Sequence, residues 1–570
     1  MATLAAVGLA RNRIVIDERA YRRWIEGVEK SRVNAGEMQK AISRFLYQPL
    51  VSIVMPVFNP AAEHLERAIA SVQNQVYKHW ELCICDDGST APHVRACLES
   101  LAQYDPRIRM VYAEKNQGIS AASNLALSLA GGELVGLLDH DDELAPDALF
   151  AVVLLLQSHR DADVIYSDED KLDRSGRRCD PFFKPDWSPE YLLSCMYTCH
   201  FSVYRKPVID AAGGFRKGFE GSQDYDLMLR VSERTGKIFH VPRVLYHWRK
   251  AIGSTAASAS SKSPSSGAGK RALEEHMERR GISAEVIEQS PNRYRVRPAL
   301  RGTPLVSIII PTKDRIELLR NCIASIERKT NYQNYEVLVA DNDSVEPKSK
   351  IYLSSLSHQI VSIPGPFNFS RINNVAAEHA KGEYLVLLNN DTRVITPDWI
   401  GAMLEWCQQP EIGIVGARLL FPSGAIQHAG VILGIGGAAG HCYHGLPRRH
   451  QGYFYSLSLV RNYSAVTAAC LMIHRRVFEE VKGLNEALPV NYGDVDLCLR
   501  VREAGYRIVY TPYAELYHYE SATRVSQPDS RDISVLQQHW DGRLSGDPYY
   551  NPNLSLQHDY QLDSRSKSEL

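Results

Sequence analysis

The sequence predicts two α/β domains of one kind in tandem, preceded by a helical extension. Three observations predict it: sequence blocks recur in the same order, short apolar strands alternate with helical patterns, and acidic residues recur where those strands end. Pro49-Leu-Val-Ser-Ile-Val-Met-Pro56 returns as Pro304-Leu-Val-Ser-Ile-Ile-Ile-Pro311. Each copy runs on into a helical pattern, Leu65 to Val72 and Leu318 to Ile326. Each then gives an apolar strand closing in acids, Glu81-Leu-Cys-Ile-Cys-Asp-Asp-Gly-Ser89 and Glu336-Val-Leu-Val-Ala-Asp-Asn-Asp-Ser344. Gly132-Glu-Leu-Val-Gly-Leu-Leu-Asp-His-Asp-Asp142 matches Gly382-Glu-Tyr-Leu-Val-Leu-Leu-Asn-Asn-Asp391, and Gln223-Asp-Tyr-Asp226 matches Gly493-Asp-Val-Asp496. Both copies end on a Tyr-His pair, Tyr246-His247 and Tyr517-His518.

These blocks divide the chain. Residues 1–48 form a mainly helical N-terminal extension, 49–253 the first domain and 304–525 the second, with a tail over 526–570. Between the domains, 254–303, small polar residues from Ala256 to Gly269 mark a flexible loop. A helix-like run, Lys270 to Arg280, follows and stops at Gly281, and a short strand is expected near Arg293 to Arg297. Buried strands alternating with helices imply a mostly parallel sheet, whose ligands sit beyond the C-terminal strand ends. Both acidic clusters fall there.

Bulk composition narrows the function. The 570 residues are 44% hydrophobic and 23% charged, ordinary for a globular protein. Lys+Arg 65 against Asp+Glu 66 leaves a net charge of -1, so no basic field gathers nucleic acid. No apolar run reaches the roughly 20 residues of a membrane span, and Leu149 to Leu156 reads as a buried helix. Met1 to Ala10 is apolar without preceding basic residues, unlike a secretory signal. Eleven cysteines without paired CxxC units imply reduced thiols in the cytoplasm.

The acids suggest the chemistry. Asp139, Asp141 and Asp142 crowd three carboxylates into four residues after an apolar strand, and a hard cation, Mg²⁺ or Mn²⁺, would relieve their repulsion. An isolated acidic turn is as readily a solvated loop; the other blocks give this one its meaning. Asp86 and Asp87 can accept hydrogen bonds from a base or ribose, with Gly88 allowing close approach. Asp224 opens an amphipathic helix, where it either caps the helix or takes a proton from an attacking hydroxyl. His428, His441, His444 and His450 border a glycine-rich stretch, Gly434 to Gly440, read as an acceptor-side loop rather than a zinc site. The aromatic tail from Trp540 to Tyr550 reads as docking or core packing.

Taken together, Pro-Val-Phe-Asn59, Asp-Asp-Gly-Ser89, Asp139-His-Asp141, Gln223-Asp224 and Tyr-His-Trp-Arg249 make each copy resemble the family 2 glycosyltransferases over about residues 49 to 525. The resemblance implies two tandem GT-A domains, the Rossmann-like fold of nucleotide-diphospho-sugar transferases. It is similar in arrangement to bacterial enzymes of O-antigen, capsule or rhamnan assembly. It implies that Asp86, Asp87, Asp139 and Arg249 bind a nucleotide-sugar donor in domain one, and Asp341, Asp343 and Asn389 in domain two. Asp139, Asp141 and His247, and in domain two Asp391 and His518, would hold the cation. Asp224 and Asp494 would be the bases of an inverting transfer to a glycan or lipid-linked glycan, with peripheral contact at the inner membrane face. Two departures stand out: Gln223 where the family often has Glu, and Asn389-Asn390-Asp391 in domain two, which brings one carboxylate where domain one brings two. The latter is familiar among rhamnosyltransferase-like members and suggests a dTDP-linked deoxysugar; it also leaves room for domain two as an acceptor-binding module. A nucleotidyltransferase would carry a basic, glycine-rich triphosphate loop, which Val51 to Pro60 lacks. The Gln-x-x-Arg-Trp signature of processive synthases is absent from its expected place.

Overall fold

The computed structural model describes residues 14–250, 267–519 and 530–564. Most of the expected Ser/Gly-rich loop, and the end of the second domain, lie outside the described residues. In domain one the strands are β1 (Val51–Val57), β2 (Trp80–Asp86), β3 (Ile108–Tyr112), β4 (Leu134–Leu137), β5 (Glu143–Leu144), β6 (Val164–Leu172), β7 (Arg178–Phe182), β8 (Ser202–Arg205) and β9 (Ile238–Arg249). They form one sheet in the order β3-β2-β1-β4-β8-β6-β9-β5, with β7 paired to β6. β1 and β2 are almost wholly buried, because helices such as Ala62–Gln73 and Ile119–Leu129 cover the sheet.

Domain two repeats this plan. After the hairpin β10 (Ala284–Ser290) and β11 (Arg293–Pro298) come β12 (Val306–Thr312), β13 (Tyr335–Asp341), β14 (Gln359–Ser362), β15 (Tyr384–Leu388) and β16 (Thr392–Val394). They are followed by β17 (Ile412–Leu420), β18 (Ile426–His428), β19 (Val431–Leu433), β20 (Ala439–His441), β21 (Arg461–Asn462), β22 (Cys470–His474) and β23 (Arg507–His518). The order β14-β13-β12-β15-β22-β17-β23-β16 mirrors domain one.

The sheet is mostly parallel, as expected, with antiparallel strands set among the parallel ones. β1, β2, β3 and β4 pair in parallel, but β8 runs antiparallel to both β4 and β6. The sequence pattern does not reveal this, because four residues, Ser202-Val-Tyr-Arg205, carry no mark of strand direction. The parallel half nevertheless creates the feature that matters: the chain leaves β1 for β2 and β3, then returns to β4 on the other side of β1. That reversal opens a crevice beyond the C-terminal ends of β1 and β4.

The two domains share a core. Phe182 of domain one stacks on Phe454 of domain two with ring centroids 3.5 Å apart and planes 9° apart. Asn462 donates to Glu190 at 2.6 Å, and the Arg507 guanidinium reaches the same carboxylate at 2.8 Å. The tail crosses the junction: Asn551 donates to both oxygens of Asp168, and Trp540 and Tyr550 are buried, consistent with docking. In the N-terminal extension, the helix Glu18–Trp24 lays Tyr21 and Trp24 against Phe183.

Candidate active sites

In domain one, the crevice is a cavity of about 520 Å³ whose lining includes Asp139, His200, Gln223, Asp224 and Tyr246. Asp139 follows β4 directly, and Asp224 stands in the first turn of the helix Gln223–Ser232. Two residues far apart in sequence therefore meet across one cleft. Asp224 spends one oxygen on the Tyr225 amide at 2.8 Å. Burial raises the Asp139 carboxyl; nearby His200 opposes this, while Asp141 and Asp224 reinforce it.

The acidic turn is held from β9. The Tyr246 hydroxyl donates to Asp142 Oδ2 at 2.6 Å and accepts from the Asp139 amide at 3.3 Å. Asp142 also accepts the Arg249 amide at 2.7 Å, so it organises the turn. Burial first, then the charges of Asp139 and Asp141, push its carboxyl well above the usual range. Arg249, expected at the donor, is instead buried, with Nε donating to the Asp141 carbonyl and Nη2 to Glu143. Its charge holds the turn from behind.

The Asp86-Asp87 pair is likewise absorbed in shaping its loop. Asp86 Oδ1 accepts the Ser89 amide, while both oxygens of Asp87 accept amides, of Gln117 and Gly118, each at 2.9 Å. Gly88 has φ +71° and a Cβ there would lie 2.7 Å from the Lys115 carbonyl carbon, so glycine is required. In domain two the strand register agrees with the sequence alignment. Val57 pairs with Asp86 and Thr312 with Asp341, so the counterpart of Asp87 is Asn342, and Asp343 matches Gly88. Asn342 is buried and donates to the carbonyls of Ile363 and Gly365; Asp343 is exposed and accepts the Gly365 amide.

Sequence reasoning missed His200. Its ring stacks on Tyr246, 4.7 Å between centroids, and lies 5.3 Å from Trp248. Behind it, Glu169 Oε2 accepts the His200 amide at 3.1 Å and the buried Lys184 ammonium at 3.0 Å. Burial opposes charge on His200, but Glu169, Asp139 and Asp142 raise it to about 9; burial is outweighed at Glu169 by Lys184 and His200, which hold it at about 2. The sequence signal was hidden by the repeat itself. Leu134 pairs with Arg205 and Tyr384 with His474, which makes Ala469 the counterpart of His200.

In domain two, Asp494 accepts the amides of Ala468 and Val495, at 3.0 and 2.9 Å. Asn389, Asp391 and His518 come together: the Asn389 amide lies 3.3 Å from His518 Nε2, and that nitrogen lies 3.3 Å from Asp391 Oδ1. His428 Nδ1 is 2.7 Å from His441 Nδ1, while His444 packs edge-on against Phe421 instead of joining them. Burial, with His441 and His518 adding, pushes His428 well below the usual range.

Whether these residues fit a cation can be tested on their free lone pairs. Buried Asp391 Oδ1 has no hydrogen-bond partner and lies 3.3 Å from His518 Nε2. A free carboxylate oxygen beside an imidazole nitrogen is a donor set that suits a divalent ion. In domain one, His247 Nδ1 is 2.6 Å from Asp170 Oδ1, and Asp170 is itself held by Tyr21 and Arg178. A histidine tied this way keeps the Nε2 lone pair for a metal. Asp139, Asp141 and His247, expected to hold the cation, do not by themselves make a gathered ligand set. Among the described residues no three His, Cys, Asp or Glu side chains are gathered to hold an ion. A cation here needs oxygens from outside the protein, as Mg²⁺ commonly takes from phosphates.

Among the described residues, no helix is long and apolar enough to cross a membrane. Comparison with known proteins adds identity to this geometry. The chain is 45% identical over 563 residues to the uncharacterized protein y4gI of Sinorhizobium fredii, covering 95% of this chain and 62% of that one. It is 41% identical over 544 residues to the O-antigen biosynthesis protein RfbC of Myxococcus xanthus, covering 94% of this chain and 42% of that one. A hyaluronan synthase of Pasteurella multocida is 32% identical over 376 residues, 64% of this chain and 34% of its own. The chain thus spans less than two thirds of the length of each of these relatives. The profile of Glycosyl transferase family 2 matches twice, over residues 52–213 and 307–482, once in each domain. The chain belongs to glycosyl transferase family 2, in two copies.

Proposed function

We propose that the chain is a bifunctional inverting glycosyltransferase, each domain transferring one sugar from a nucleotide-sugar donor to a growing cell-surface glycan. The observation that carries this reading is the domain-one cavity, in which Asp139 at a strand end and Asp224 at a helix start face the same space. Asp224 is the base. It takes the proton of the acceptor hydroxyl as that oxygen bonds to the anomeric carbon, from the side opposite the departing nucleoside diphosphate. Asp139, fixed through its amide by Tyr246, orients the donor ribose. Asp86 and Asp87 shape the loops that receive the base, and Arg249 and Asp142 hold the acidic turn. In domain two Asp494 is the base and Asn389 faces the donor. Asp139, Asp141 and His247, or Asp391 and His518 in domain two, would with donor phosphates hold a Mn²⁺ or Mg²⁺ ion, which would supply Lewis-acid stabilisation of the leaving diphosphate.

The similarity to an O-antigen biosynthesis protein supports a surface polysaccharide as product, made in the cytoplasm, with peripheral contact at the inner membrane face where a lipid-linked acceptor would lie. Asn389 and Asn390 favour a dTDP-linked deoxysugar in domain two. They also support a second reading, in which domain two grips acceptor without catalysing transfer. Calorimetry of UDP-, GDP- and dTDP-sugars with Mn²⁺, on the full chain and on its Asp139→Ala and Asp391→Ala variants, tests both. Loss of one of two binding events in each variant supports two active sites. Binding abolished by Asp139→Ala and untouched by Asp391→Ala leaves domain two a binding module, and no binding at all refutes the transferase reading.

A further inference from the structure

A second crevice, about 620 Å³ including its open mouth, lies where the domains meet. Domain one contributes Lys171, Asp180 and Pro181, domain two contributes Tyr453, Phe454 and Tyr455, and Ile14 to Ile16 close one side. Its position relative to the domain-one cavity follows from strand register. β6 and β9 pair in parallel, Glu169 opposite Tyr246 and Lys171 opposite Trp248, and side chains two apart along a strand share a face. Tyr246 and Trp248 therefore point to one side, with His200 lying against both. The Lys171 ammonium lies 5.0 Å from the Trp248 ring centre and lines the crevice as well. Phe182, opposite Glu169 on β7, carries the same face on to Phe454. Half-buried Trp248 and Lys171 thus lie between the cavity of Asp139, His200 and Asp224 and the crevice of Phe454 and Tyr455 of the other domain.

We propose that these residues form an extended acceptor site, on which the sugar units preceding the one that carries the attacking hydroxyl lie, and that domain two supplies its far end. The proposal rests on reading domain one as a transferase. The chemistry fits a saccharide. A pyranose has an apolar C–H face suited to an aromatic ring and a rim of hydroxyls suited to charged and polar groups. Trp248 and Tyr455 supply such rings, and Lys171 and Asp180 such groups. Consecutive same-face side chains on a strand are roughly 7 Å apart, so the stretch from Tyr246 past Trp248 and onto the next strand accommodates more than one sugar unit. The crevice opens beside the catalytic cavity and sits at a domain junction, a preferred place for ligand sites. Domain two, whatever its own activity, thereby becomes part of how domain one recognises chain length.

The test uses the full chain and immobilised bacterial surface oligosaccharides of graded length, from monosaccharide to hexasaccharide, with nucleotide-sugar binding measured separately. Wild type is expected to retain longer oligosaccharides better than short ones. Trp248→Ala and Tyr455→Ala should each weaken retention of the longer ones about tenfold, the loss of one ring contact. Nucleotide-sugar affinity should stay within about twofold in Tyr455→Ala. Because Tyr455 also carries the Arg293 guanidinium on its ring, Tyr455→Phe is the control that keeps the ring, and it should bind as wild type does. Retention that does not depend on length, or that is indifferent to Tyr455→Ala, would overturn the extended site. So would nucleotide-sugar binding without any oligosaccharide retention. Wild-type protein that binds no nucleotide sugar would instead overturn the transferase reading, and this inference with it.

Discussion

His240 offers the sharpest quantitative test of how the domain junction is held. Its side chain is fully buried on β9, with Nε2 2.9 Å from Asp168 and Nδ1 3.0 Å from Asp186, under the ring of Tyr166 at 4.9 Å. The tail completes the surroundings, since Asn551 donates to both oxygens of Asp168. Burial disfavours the imidazolium, but Asp168 and then Asp186 outweigh it and raise the group to about 9. Asp168 must dominate, because Asp186 is more than half exposed and screened. A raised histidine contributes stability that is complete below its unfolded value, ~6.5, and is lost as pH rises through about 9. At ~1.36 kcal/mol per unit, that window is worth about 3 kcal/mol. His240→Asn should therefore be destabilised relative to wild type by about 3 kcal/mol more at about pH 6 than at about pH 9.5. Denaturant-induced unfolding of both proteins at the two pH values measures it, and taking the difference between the proteins cancels every other titrating group. An equal gap at both pH values would refute a charged His240.

Four further outcomes follow from the same geometry. Asp224→Asn and Asp494→Asn should each lower turnover of one linkage by roughly 10²–10⁴-fold while donor affinity holds, as read by product analysis; loss of donor binding would count against the base assignment. Arg507→Ala leaves buried Glu190 with only Asn462, and should cost about 3–5 kcal/mol in unfolding measurements. Gly136→Ala would place a Cβ 2.8 Å from the Phe201 ring, so about 1–3 kcal/mol of overpacking should appear as a lowered Tm. His247→Gln should weaken Mn²⁺-dependent nucleotide-sugar binding about 10–100-fold, and Asp170→Asn nearly as much, because Asp170 orients the ring.

The fold was legible because repetition amplifies weak patterns. One Pro-Leu-Val-Ser-Ile run is an apolar stretch; two, each leading to a helix and an acidic strand end, are a domain counted twice. What was not legible depends on partners far away in sequence. β8 gives no sign of running antiparallel, since direction is set by which neighbour it meets. Arg249 has the charge for a phosphate, yet it is consumed by Glu143 and the Asp141 carbonyl, contacts across more than a hundred residues. Asn342 was passed over because acids were sought, although the aligned blocks and the strand register both put it in the place of Asp87.

Comparing the copies finds shared chemistry and conceals what each copy does alone, and that difference has an electrostatic logic. Domain one faces its cleft with Asp139 and Asp224, with the Asp141 charge nearby, and opposes them with His200, backed by the Glu169–Lys184 pair. In domain two, Asn389 stands for Asp139, Ala469 for His200 and Leu420 for Glu169. The cleft carboxylate and the basic group that faces it are absent together from domain two, so these two losses are coupled. Restoring only one of them should therefore be costly. Ala469→His alone adds an imidazole with no carboxylate behind it, and Asn389→Asp alone adds a second carboxylate beside Asp391 without the imidazole that faces Asp139 in domain one. The double variant, Asn389→Asp with Ala469→His, should be more stable than the sum of the single effects predicts, by about 0.5–3 kcal/mol in a double-mutant cycle. Strict additivity would mean that the two copies lost these residues independently, and that the cleft of domain two was never balanced as that of domain one is.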